Sequence, residues 1–414
     1  LHATSRDGLV WEKHQAFWES YMFASVIKDA VDPDPAARYK VIAWSPNAPG
    51  VLTPGYDRPV RSGYNISISS DGRQITRISE RPICPGGDVI TGYYDRLRQR
   101  YVAFPKIMTV TRGFNRRCFS LITSEDFRHW SEPRLVLVPD LRDDAGSLAR
   151  LEETRSQLDV PDDPARMRTE FYGVGVYQHE SCVVAFPWML TINNRGRYGN
   201  HQGPGEVQLA VSRDLENWER PFRTPCITRG KPGEWDSGFF WTPNEAIRVG
   251  DEIWLYYAAS NHVHGAPVGS SRSPETFQRQ RLTKYTASIG LAVWPLDRFI
   301  SVDAPAEGGT LTTVPIRSSG SRLELNATTF TGGSIAVEVL DPAGRPIVRS
   351  LPVSGDDLRH PVAWPPGTDL ARLAAQAICL RFHLRSAELY AFAFRDRDPN
   401  GAHQAGLSCW KGRA

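Results

Sequence analysis

Three acidic residues stand at or just ahead of runs with strand character: Asp88 in PGGDVITGYYD, Glu170 in RTEFYGVGVY and Asp236 in GEWDSGFFW. Carboxyl groups brought from separate strands into one cavity repel each other, and their pKa values separate. A pair with one member protonated and the other ionised can cleave a glycosidic bond, the first as general acid and the second as base or nucleophile. The three form the candidate catalytic group, with Asp236 or Glu170 as proton donor and Asp88 as modulator or base.

Whether they converge depends on the elements that carry them. The pattern Ser-x-Asp-x-x-x-Trp occurs in SRDGLVW at 5–11, SEDFRHW at 124–130 and SRDLENW at 212–218, and SSDGRQI at 69–75 keeps the Ser and the Asp. A pattern recurring along one chain marks a repeated structural unit. Each copy follows a short apolar run, so it reads as a tight turn in which Ser and Asp bond backbone groups while the Trp packs on the sheet. Upstream lies a further strand pair, as where DVITGYY turns through DRLRQ into RYVAFP and EFYGVGVY turns through QHES into CVVAFPW. Such a unit is a four-stranded antiparallel blade.

Counting gives an incomplete unit at the start and full units near 20–80, 85–135, 168–222 and 236–300. Five units around an axis predict an all-β, five-bladed β-propeller. The first blade is incomplete, because LHATSRDG already belongs to a third strand; a solenoid of four-stranded repeats is the alternative. Past about residue 305 the alternating segments RLELNATTF, SIAVEVLD, AICLRFHL and ELYAFAFR predict a C-terminal antiparallel β-sandwich. The expected domains are 1–304 for the propeller, 305–396 for the sandwich and 397–414 for a polar C-terminal tail.

Loop length selects the working face. Connections between second and third strands are long, and so is the charged insert at 132–168. Long loops on a rigid scaffold are where binding and chemistry concentrate. Second strands end on that face with AFPK, AFPW and AASNHVHG. Lys106, Trp188, Asn261, His262 and His264 are therefore candidates to line a sugar pocket, Trp188 by stacking and the others by hydrogen bonds. Of Arg116 and Arg117, strand alternation aims only one inward, and Arg117 is taken as the binding residue. The partner expected is an oligosaccharide or glycoside.

Composition narrows the alternatives. A net charge of +3 over 414 residues, without a dense Lys/Arg cluster, gives no reason for a nucleic-acid partner. No apolar run reaches the ~18 residues of a membrane span. The six cysteines lack paired or metal-ligand spacing and read as isolated thiols. No metal or nucleotide fingerprint occurs, so no cofactor is expected. The first residue is Leu and no signal peptide is visible. An upstream segment is thus expected to be missing, and both compartment and oligomeric state stay open.

Inner strands led by Asp or Glu, YVAF-type second strands and Ser-x-Asp turns resemble the five-bladed glycoside hydrolases of families 32, 43, 68 and 130. DPDPAARYK, SEDFRHWSEP, QLAVSRDLENWER, GEWDSG, DEIWLYY, GGTLTTVPI and AELYAFAF resemble more closely bacterial family-32-like proteins with a propeller and a C-terminal sandwich. The resemblance covers nearly the whole chain. It implies a glycosidase acting on furanosides such as fructosides or arabinosides, with Asp88 and Asp236 at acidic positions of the closer relatives and Glu170 matching by blade position. The first-blade inner strand that carries the family's nucleophile or base is absent from this sequence, and so are the NDPNG, RDP and EC marks of family 32. Two other readings are a non-catalytic carbohydrate-binding propeller and a propeller lyase or phosphorylase.

Overall fold

A computed structural model of the chain describes residues 2–14, 22–45, 63–196, 200–266, 286–318, 320–373 and 376–396. The polar tail expected at 397–414 and the loop stretches 46–62 and 267–285 lie outside the described residues. The chain divides into two compact units, one of residues 1–247 with 255–292 and the other of 248–254 with 293–414.

The first unit is a propeller-like arrangement of antiparallel sheets, with four blades among the described residues. The first blade joins Met22–Lys28, Tyr39–Ser45, Gly63–Ser69 and Thr76–Arg77. The second joins Ile90–Asp95, Arg100–Thr111, Phe114–Ser124 and Arg134–Leu137. In the third, Arg168–Gln178 pairs with Val183–Ile192, which pairs in turn with Gly205–Val207 and Ala210–Ser212. The fourth pairs Phe239–Trp241 with Glu252–Ser260, flanked by Ala287–Pro295. The incomplete unit at the start of the chain is a two-stranded hairpin, His2–Ser5 with Trp11–His14.

Neighbouring inner strands touch in sequence order, which makes the arrangement a ring segment rather than a stack of separate sheets. Ser25 Oγ accepts from the Gly92 amide at 2.8 Å, Thr91 Oγ1 donates to the Val174 carbonyl, and Val176 bridges in parallel to Glu245. Between blades lie Tyr93, Phe104, Phe119, Phe171 and Val174, all shut off from solvent.

The recurrent Ser-x-Asp motif forms the same turn each time. Asp7, Asp71, Asp126 and Asp214 each accept from the amides two and three residues on, at 2.7–3.0 Å. Trp11, Trp130 and Trp218 each donate Nε1–H to the carbonyl three residues back, at 2.9–3.1 Å. The residue after the Asp is left-handed, with φ of 77° at Gly8, 72° at Gly72, 65° at Phe127 and 71° at Leu215. Glycine takes that conformation without steric penalty. Phe127 and Leu215 take it while burying their side chains completely in the core, which offsets the cost.

The 132–168 insert, read from sequence only as a charged loop, folds into the short helices Leu141–Ala145 and Ser147–Glu153. Asp140 caps the first, accepting from the Arg142 and Asp143 amides, and Asp143 returns the bond to the Asp140 amide. Asp143 lies buried against Arg220, at 2.6 and 2.8 Å, and Arg223, at 3.0 Å. Those ion pairs fix the insert to the third blade.

The second unit is the β-sandwich. Two strands of 19 residues, Arg322–Leu340 and Ala377–Arg395, pair along their length with an irregularity between Thr329 and Ser334. On one side of that break they are flanked by Val302–Ala304 and Asp356–Pro361, on the other by Gly309–Thr312 and Pro346–Arg349. Each long strand thus serves both layers. Leu323, Leu325, Val337, Val339, Leu380 and Phe382 fill the single core between them.

Candidate active site

The site forms where the second and third blades begin. Asp88 ends the PGGD turn with φ of 45°, a left-handed conformation that Asp tolerates better than most residues. Its own carboxylate accepts from the Val89 amide at 2.7 Å, and the Tyr64 hydroxyl of the preceding blade reaches the Val89 carbonyl at 2.7 Å. Such strain persists only where the surroundings over-determine it, and it concentrates at functional sites.

Lys106, expected at a strand end but lying midway along Arg100–Thr111, which continues past it, is ion-paired to Asp88. Burial pushes the Lys106 ammonium down to about 8, although the Asp88 carboxylate pulls it the other way. Its Nζ sits 4.1 Å from the centre of the Tyr172 ring, and Arg117 packs on the same ring at 4.8 Å. Tyr172 donates to Asp88 Oδ2 at 3.4 Å, and burial followed by the Asp88 charge pushes its phenol up to about 12.

Tyr172 reaches this position through a β-bulge. The register pairs Phe171 with Met189 and Gly173 with Trp188, leaving Tyr172 as the extra residue. A bulge re-aims a side chain. Gly173 is required next to it, since a Cβ there would come within 2.1 Å of the Trp188 indole.

Glu170, two residues earlier, is fully buried. Arg117 Nη1 donates to its Oε2, and Arg168 Nε donates to its Oε1 at 2.7 Å. Both carboxylate oxygens are therefore engaged by guanidinium groups. His201 lies between the same arginines, its Nδ1 3.4 Å from Arg117 Nη1 and its Nε2 3.4 Å from Arg168 Nη2. Burial and the Arg168 charge hold its imidazole below the ordinary value. Arg116 points away, to Asp144 at 2.6 and 2.9 Å and the Thr169 carbonyl at 2.9 Å.

The structure thus brings Asp88, Glu170, Lys106 and Arg117 into one cluster. His264 packs at its edge, 5.0 Å from the Tyr172 ring, with Nδ1 donating to the His201 carbonyl at 2.6 Å. Burial and the Arg117 charge push it down to about 4. Trp188 is only 4% exposed; it stacks behind Tyr172, and its indole N–H is spent on Thr242 Oγ1 at 2.6 Å. Asn261 clamps Thr286 through its side chain at 2.9 Å and its amide at 3.1 Å. His262 is part-buried and packs its backbone against Gly238. Asp236, part-buried in the loop entering the fourth blade, lies beside Gly230 and raises the Tyr257 phenol, itself shifted chiefly by burial.

Three residues of the cluster had not been singled out from the sequence: Tyr172, Arg168 and His201. No group of three or more His, Cys, Asp or Glu gathers as metal ligands would among the described residues, and no described helix is long and apolar enough to cross a membrane.

No family model matches the chain, and no curated protein does. Among solved structures it is similar to one described as a glycoside hydrolase, at 12% identity and a TM-score of 0.42 over 70% of this chain and 76% of that one. It is similar to a glycosyl hydrolase from Bacteroides ovatus, at 14% identity and a TM-score of 0.40 over 67% and 68%. A glycoside hydrolase family 43 arabinoxylan arabinofuranohydrolase from Bacillus subtilis aligns at 12% identity and a TM-score of 0.34, over 90% of this chain and 79% of that one.

Proposed function

We propose that the chain is a glycoside-active propeller whose ligand site is built around Asp88, and that it hydrolyses a glycosidic bond. The single observation that carries the reading is the Asp88 turn: a carboxylate held in a left-handed conformation, keeping 25% of its side chain exposed, with Lys106 and Tyr172 directed onto it. In the reaction a carboxylic acid gives its proton to the glycosidic oxygen as the bond to the anomeric carbon breaks. Water adds to that carbon and surrenders a proton to a carboxylate. Asp88 is assigned as that base. Asp236 is assigned as the acid in preference to Glu170, whose two oxygens are both taken up in accepting from arginines.

Aryl glycofuranosides, the class implied by the family resemblance, and aryl glycopyranosides supply the test on the full-length protein. Turnover of one class, lost in Asp236→Asn and Asp88→Asn with sugar binding intact, is the expected result. Binding without turnover on any of them would leave a carbohydrate-binding propeller. That second reading is favoured by one observation, the commitment of Glu170 to two internal ion pairs.

A further inference from the structure

The cluster has more cationic hydrogen-bond donors than acceptors. Lys106, Arg117 and Arg168 face the carboxylates of Asp88 and Glu170, an excess of one positive charge. His201 does not relieve it. As a neutral imidazole it accepts at one nitrogen only and carries hydrogen on the other, yet a guanidinium nitrogen lies 3.4 Å from each.

The surplus falls on one edge of one residue. Arg117 bonds Glu170 through Nη1, while Nε and Nη2 have no partner among the described residues. The Arg117 side chain keeps 13% of its surface exposed. Nε and Nη2 form the side-on fork of a guanidinium, the edge that receives the two oxygens of a carboxylate in parallel. Lys106 and Arg117 share the Tyr172 ring, so an ammonium stands beside that fork.

The geometry points to a carboxylate on the ligand: the site takes an acidic glycan, one bearing a uronic acid, and holds its carboxylate on the Nε–Nη2 edge of Arg117. This rests on the reading that the cluster binds glycan; it does not require that the glycan be cleaved. A monoanion balances the excess charge, whereas phosphate as a dianion would overshoot it.

Affinity electrophoresis of the full chain tests the proposal in gels containing polygalacturonate, alginate or glucuronoxylan, beside the same polymers with their carboxyl groups reduced to alcohols. The expected result is retardation by an acidic polymer at least tenfold stronger than by its reduced form. That ratio should collapse in Arg117→Gln. Arg117→Lys, which keeps a cation against Glu170 but lacks the fork, should fold with an unchanged thermal melt and lose the ratio as well. Equal or stronger retardation by the reduced polymers overturns the inference and leaves glycan binding standing. Retardation by none of them overturns both. Binding of inorganic phosphate in calorimetry, with no acidic polymer bound, overturns it in favour of a free-anion site. An acidic preference that survives both Arg117 variants also overturns it.

Discussion

The ammonium of Lys106 is ion-paired to Asp88 while lying 4.1 Å from the centre of the Tyr172 ring. One cation therefore ties the strained carboxylate of the second blade to the bulged tyrosine of the third. Because burial lowers Lys106 to about 8, its charge is present below that pH and lost above it. Binding of a carboxylate ligand should be strongest below about 8 and weaken as pH rises through that value. Titration calorimetry across the range checks this, and Lys106→Arg should hold the affinity to higher pH.

Glu170→Gln should destabilise the protein by ~3–5 kcal/mol, because it leaves the Arg117 and Arg168 charges without their buried counter-ion. Urea denaturation measures the loss. A cost below ~1 kcal/mol, the range of exposed ion pairs, would mean that the carboxylate is not held as described.

Trp188 should behave as packing. Trp188→Ala is expected to cost ~3–5 kcal/mol of stability. Trp188→Phe should retain most of the fold and change sugar affinity less than about twofold, since the indole is covered by Tyr172 and Gly173. A tenfold loss of affinity in Trp188→Phe at unchanged stability would instead establish direct stacking on the sugar.

Asp143→Asn should loosen the helical insert. Its carboxylate is buried against Arg220 and Arg223, so the substitution is expected to cost ~3–5 kcal/mol. Limited proteolysis should then cut first within 138–157 while the blades stay intact. Cleavage elsewhere, or no change in rate, would count against the insert being fixed by this residue.

The blades were legible because their signals are local. Strand, short turn and strand recur, and the Ser-x-Asp turns carry their own hydrogen bonds within seven residues. The positions of Asp88 and Glu170 at inner-strand starts followed from the same order. Tyr172 was not legible, because a bulge is a property of two strands in register and not of EFYGVGV alone. His201 meets Arg117 and Arg168 from a separate hairpin, Asn194–Arg195 with His201–Gln202. That convergence is a long-range fact. The helices of the insert were hidden for a related reason: the first is held by the buried ion pairs of Asp143, and the second by Arg150 hydrogen bonds to Thr169, Thr191 and the Asp143 carbonyl together with the buried Leu151. Trp188 read as a platform from its place at a strand end, and only the close approach of Gly173 shows which side it covers.

In the sandwich, Arg322–Leu340 and Ala377–Arg395 each run through both layers. Neither layer owns its central strands, so neither can open while the other stays shut. Amide protection along those two segments should vanish in one step, and a cut made anywhere near Thr329–Ser334 would dissolve the whole unit rather than half of it.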